Sequence, residues 1–332
     1  MLSHAIQYMI YCSYILVHKE EYMANTKKAT RKSSTTAAKR TTTKKATTKA
    51  TTTVRTVSAK DAAASAKPAA GRKLDSNLLN IVLAELVGTF VLTMVALMTA
   101  AEIAPLFVGL TLALLVMAIG AVSGSHVNPA VTFGLWSARK LKSAMLPFYW
   151  GAQFLGAMAA VVISSAVAGT KTSLDFGHFT TFSWPIFSIE LIATGVFLFG
   201  IVSVVNRADL SASAKALGVG LSLFVAIVVS SSLYAPMRTQ AITDYQTQIA
   251  SVTDQAAKQP DIPHELYVEG ATLNPAIALA VTEVTESKLT GAQPAENEKM
   301  YSRLTVEVIT ATLLGAVVGA NLSLLVNRRL TV

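Results

Sequence analysis

The stretch SGSHVNPAVTFG, residues 123–134, has a counterpart further along the chain in EGATLNPAIALA, residues 269–280. Both contain Asn-Pro-Ala, at Asn128-Pro129-Ala130 and at Asn274-Pro275-Ala276. Each tripeptide follows apolar sequence and opens a short stretch of helix formers. Asn suits the cap of such a helix, and Pro suits its first position because it has no N–H to lose. Two short helices whose positive N-terminal ends meet at membrane depth make a polar waist in an otherwise apolar protein. That is the arrangement of a pore.

The sequence around these stretches supports a membrane setting. Of 332 residues, 52% are hydrophobic, but that average combines two unlike parts. Residues 1–76 are polar and basic, whereas 77–332 are rich in Ala, Val, Leu, Ile and Gly, with charges confined to short gaps. A helix crosses a bilayer with about 20 mostly apolar residues. Six segments qualify: 78–100, 104–122, 144–168, 184–205, 214–234 and 304–327. Lys and Arg mark one side of these spans: Arg139, Lys140, Lys142, Arg207, Lys215, Arg328 and Arg329, together with the basic tail. Acids such as Glu102, Asp175, Asp244, Glu265, Glu283 and Glu296 dominate the other. The positive side is cytoplasmic by the usual bias, which puts both termini in the cytoplasm and makes this a multi-pass cell-membrane protein.

Ahead of the spans, Ala5 to Val17 form an apolar stretch too short to cross, without the basic start of a signal peptide. Met23 then opens MANTKKATRK, so residues 1–22 read either as an untranslated upstream extension or as a weak interfacial segment. Residues 26–60 are nearly all Lys, Arg, Thr, Ala and Ser, a composition that predicts disorder. Their charge suits contact with anionic lipid head groups or with nucleic acid phosphates. The lone cysteine, Cys12, excludes an intrachain disulfide framework.

The apolar part is internally duplicated. Glu85 in AELVGTF and Glu190 in IELIAT each sit in the first span of a half, followed by a second span, an Asn-Pro-Ala loop and a third span. Three spans per half require the halves to be inverted. The fold is therefore read as an all-α membrane protein with six transmembrane helices, two re-entrant half-helices and an inverted 3+3 repeat. Residues 235–268 interrupt the second half. They are polar, contain Pro260 and Pro263, and read as an external loop insertion. Gly88, Gly109, Gly156, Gly220 and Gly315 recur on the spans, where small residues let helices approach closely.

With both Asn-Pro-Ala loops, the paired glutamates, the SGSHVNPAVT context, and Gln153 with Gly156-Ala157 on the third span, residues 77–332 resemble the major intrinsic proteins, the aquaporins and glycerol facilitators. The resemblance implies a homotetramer with one pore per subunit. It also implies that Glu85 and Glu190 brace the re-entrant loops by accepting their backbone N–H groups. The sharper alternative, a proton relay, stays open beside it. Asn128 and Asn274 are expected to offer amide N–H groups to a passing oxygen; otherwise they serve only as caps. Non-helical backbone at membrane depth must be buried or face water. Carbonyls near Gly124, Ser125 and His126, and near Gly270, Ala271 and Thr272, are therefore expected to form a ladder of acceptors. His126 either lines a vestibule or packs.

The sequence departs from the family pattern at one point. The Arg that usually follows the second Asn-Pro-Ala is Ile277 here. Alignment by the resemblance puts the remaining filter positions at Val108, Ile227 and Ala271, which makes an apolar ring. Such a ring offers water no replacement hydrogen bonds and lacks one electrostatic barrier to cations. The expected function is a passive channel for water or small neutral solutes, glycerol-like, urea-like or gaseous; the alternative is a non-conducting scaffold or adhesion protein. No cofactor is implied. There is no nucleophile–base pair or phosphate loop, so an enzyme is not expected. The five histidines are scattered along the sequence, so no metal site is expected either.

Overall fold

The computed structural model describes residues 77–169, 173–252, 260–295 and 298–328. The expectations for residues 1–76 lie outside that range. In chain order, helix α1 spans Leu78–Met98, α2 Ala104–Ser123 and the short α3 Pro129–Ser137. Then come α4 Leu146–Ala168, strand β1 Leu174–Asp175, α5 Trp184–Val205 and α6 Ala212–Ser251. The chain closes with α7 Pro275–Ala280, α8 Glu286–Thr290, β2 Met300–Tyr301 and α9 Val306–Val326. Pro lies in the first two positions of α2, α3, α4, α5 and α7, where its missing N–H costs nothing.

Six helices, α1, α2, α4, α5, α6 and α9, are long and apolar enough to cross a membrane. They are apolar on the outside as well as inside: Leu79, Leu114, Val162 and Leu325 are among the large side chains left exposed on the bundle surface. Helices apolar all round belong in an apolar solvent. With six crossings, the described chain enters and leaves at one end of the bundle (the terminal end). The loops after α1, α4 and α6 lie at the other (the distal end).

Packing follows the sequence duplication. α1 packs on α4 as α5 packs on α9, and α1 meets α2 as α5 meets α6. The short helices cross over, α3 packing on α9 and α7 on α4. Matching glycines make close approaches in the two halves. A Cβ on Gly156 would run into the carbonyl oxygen of Leu86, and one on Gly315 into that of Leu191. Leu86 and Leu191 are the residues directly after Glu85 and Glu190.

The 235–268 region corrects one expectation. It is not a loop at its start: α6 continues through Pro236 to Ser251, 40 residues in all. At 1.5 Å per residue that is about 60 Å, twice the hydrocarbon thickness of a bilayer. Tyr245 Oη donates to the Pro260 carbonyl at 3.3 Å and Arg238 Nη2 to that of Leu266 at 3.4 Å, tying the overhang to the returning chain. At the same end, β1 pairs in parallel with β2.

Candidate functional site

Gly124 ends α2 in the left-handed region, at φ 87°. Ser125 at φ 51°, Val127 at φ 44° and, in the other half, Leu273 at φ 56° share that region although each carries a side chain. A β-branched residue there is strained and needs a compensating hold. Glu85 supplies it: Oε1 accepts the N–H of His126 at 2.9 Å and Oε2 that of Val127 at 2.7 Å. Glu190 does the same for the second loop, accepting from Thr272 N at 2.9 Å and Leu273 N at 3.1 Å. Both carboxylates are fully buried. Gln153 Nε2 adds a donor to Glu85 Oε2 at 2.8 Å and reaches Thr132 Oγ1 at 2.9 Å.

The strained residues aim the next two side chains at each other's loop. Asn128 Oδ1 caps α3 by accepting from Ala130 N at 2.7 Å, while its Nδ2 donates to the Leu273 carbonyl at 2.8 Å. Asn274 Oδ1 caps α7 by accepting from Ala276 N at 3.0 Å, while its Nδ2 donates to the Val127 carbonyl at 3.0 Å. Each Asn therefore caps its own half-helix and ties it to the opposite one. Each amide has a second N–H left over.

Two cavities flank this cross-link. The distal one, about 320 Å³, is lined by Asn128, Asn274, Gly270, Ala271, Thr272 and the apolar quartet Val108, Ile227, Ala271 and Ile277, among others. The terminal one, about 200 Å³, is lined by Gly124, Ser125, His126 and Lys140, with Ile201 and Val219. Leu112, His126 and Phe197 belong to both walls. His126 is buried; its Nδ1 lies 3.2 Å from Thr132 Oγ1 and its ring packs against Tyr149.

Sequence reasoning missed Arg303. It lines the distal cavity beside the apolar quartet, so that wall is not wholly apolar. Its backbone N–H donates to Val281 O at 2.9 Å, which fixes it just past the end of α7. The guanidinium is buried, with Nη2 3.7 Å from Glu190 and Nη1 3.5 Å from Glu307. Burial is the largest influence on it and disfavours its charge. Tyr234, Glu190, Glu307 and Glu283 together outweigh burial and hold it protonated above its ordinary range. The sequence signal was Arg303 and Glu307 one helical turn apart at the edge of an apolar span.

Two of the histidines also meet in space. His178, from the loop after α4, and His264, from the turn after the α6 overhang, meet buried Glu283, with potential ligand atoms within 4.8 Å of one another. The expectation of no clustered metal ligands, drawn from their spacing in sequence, does not hold in three dimensions.

The family model described as Major intrinsic protein matches residues 73–237. Aquaporin Z of Brucella melitensis is 33% identical over 148 residues, 40% of this chain and 65% of that protein. Aquaporin NIP2-3 of Zea mays is 30% identical over 137 residues, 40% of this chain and 46% of that one. The chain thus matches less than two thirds of either relative. The solved aquaglyceroporin of Plasmodium falciparum aligns over 74% of this chain and 94% of its own, at 20% identity and a TM-score of 0.45. Reciprocal Asn-Pro-Ala caps, paired glutamate braces, six bilayer-length helices and the family match together place the chain: it is a multi-pass membrane protein and belongs to the major intrinsic protein family.

Proposed function

We propose that the two cavities are halves of one passive conduit for water and small neutral solutes, with both termini in the cytoplasm and one conduit per subunit of a homotetramer. The observation that carries this reading is the crossed pair Asn128 and Asn274, which line the distal cavity close in sequence to His126, a residue of both cavity walls. Their spare amide N–H groups are donors for a solute oxygen, and the loop backbone near Gly124, Ser125 and His126, and near Gly270 and Thr272, offers carbonyls on either side. The names of the relatives, aquaporins, agree with this. Val108, Ile227, Ala271 and Ile277 favour solutes with an apolar edge over a water-only selection. Arg303 brings a guanidinium to the wall of the cavity that Ile277 leaves without one.

A second reading is favoured by the 40-residue α6. A helix reaching well beyond a bilayer suits a non-conducting scaffold that contacts a neighbouring surface.

Stopped-flow measurement on proteoliposomes, with water, glycerol, urea and ammonia, separates the two. The conduit reading requires uncoupled, non-saturating flux of at least one solute above empty vesicles. Asn128→Asp and Asn274→Asp, which keep the capping oxygen and lose the amide donors, reduce that flux. Ile277→Arg lowers glycerol flux more than water flux. Flux equal to empty vesicles for every solute, unchanged by Ile277→Arg, leaves the scaffold.

A further inference from the structure

Buried carboxylates gather with two histidines at the distal end. Glu190, Glu283 and Glu307 have fully buried side chains, and Arg303 is the buried guanidinium that faces them. Two of the three, Glu283 and Glu307, also face imidazoles, those of His178 and His264. Unmatched buried charge is costly, so such groups are paired or coordinate metals.

The hydrogen bonds show which atoms of the cluster are left over. Glu307 Oε1 lies 3.1 Å from His264 Nε2. A carboxylate accepts only, so Nε2 carries the shared proton, and in the neutral ring Nδ1 keeps a lone pair for a ligand. That Nδ1 faces Glu283 Oε1 at 4.0 Å. Neither atom has a hydrogen-bond partner among the described residues, and both are buried. With the ring neutral these are two buried acceptors facing each other, which a metal ion can satisfy and a hydrogen bond between them cannot. His178 Nδ1 completes the set, 2.7 Å from Glu283 Oε2, with its ring stacked on Tyr301 at 3.6 Å.

We propose that His178, His264 and Glu283 form a binding site for a divalent transition-metal ion of the zinc class. Two imidazoles and a carboxylate with an open fourth position are a ligand set that zinc takes. Zinc–nitrogen and zinc–oxygen bonds near 2.0–2.2 Å put tetrahedral ligand atoms about 3.4 Å apart, between the 2.7 Å and 4.0 Å separations seen here. Small side-chain rotations close the difference. Glu307 behind His264 is the outer carboxylate that orients a ligating ring. Access is from outside the bundle: His178, His264 and Tyr267 line a surface cavity that also includes Asp261 and Glu286. Glu283 and Tyr267 also line the distal cavity of the proposed conduit, so an ion here sits in its wall. Binding itself does not depend on whether the conduit conducts.

The test uses full-length, tag-free protein, stripped with chelator and titrated with Zn²⁺ by calorimetry in two buffers of different ionisation enthalpy. One ion binds per chain, with the same stoichiometry in both buffers. His178→Ala, at the accessible edge of the cluster, and His264→Ala weaken binding by roughly a hundredfold or more. Glu307→Gln, which touches no ion, weakens it by about 10- to 100-fold. Unchanged thermal unfolding of the metal-free His178→Ala protein keeps the comparison interpretable. No Zn²⁺ binding by the wild type, equal binding by His178→Ala and His264→Ala, or displacement of Zn²⁺ by equimolar Ca²⁺ would overturn the proposal. Flux with and without bound Zn²⁺ then tests separately whether the ion affects the conduit.

Discussion

Arg303 shows how much depends on one buried side chain. Glu190 has two tasks, holding the strained loop before Asn274 and facing the guanidinium, and Glu307 has a similar pair between Arg303 and His264. Arg303→Met keeps most of the volume and leaves both carboxylates buried without their cation. It should destabilise the protein by about 3–5 kcal/mol, read by denaturant unfolding in micelles. Adding Glu307→Gln to Arg303→Met removes one of the stranded charges and should recover part of the loss. Among the described residues no Arg pairs with Glu85; an amide, Gln153, stands there instead. The two halves therefore solve the same bracing problem with different chemistry. The sequence exposed the two glutamates, because an acid inside an apolar span needs a reason. Arg303 escaped notice because it lies outside every span, among other charges.

The elements were legible to the extent that bilayer length governs them. Five of the six spans end close to where apolarity ends, because lipid enforces both. α6 does not. Its apolar stretch stops near residue 234, yet the helix runs through Pro236 to Ser251. Hydropathy reports where a helix leaves lipid, not where its hydrogen bonding ends. Helix contacts are set by the glycines. Gly156→Leu places a side chain against the backbone of α1 at Leu86 and Phe90. It should cost about 1–3 kcal/mol or more and lower the yield of folded protein, followed by size-exclusion profile and thermal unfolding. The same change at the outward-open Gly151, on the same helix with nothing near its Cβ direction, should be almost neutral.

Across the whole molecule, the inverted halves place the two loops so that each Asn meets the other's backbone, and neither half can form that joint alone. The chain carries a formal charge of +9, and its basic tail precedes the first span. Removing residues 1–72 should leave solute flux unchanged in proteoliposomes. In nanodiscs it should weaken capture of vesicles carrying anionic lipid, with the difference between full-length and truncated protein fading at high salt, as screening requires. Equal capture by both forms would remove the lipid-contact reading of the tail.

Apolar runs of bilayer length, an acid in the first span of each half and a repeated Asn-Pro-Ala are local patterns, so the residues alone were enough to establish six spans, two half-helices and their inversion. The clustering of His178, His264 and Glu283, the cation beside Ile277 and the continuation of α6 could not be read that way. They join positions far apart in the chain, or rest on backbone hydrogen bonding that apolarity does not track, and only folding brings those groups within a few ångströms.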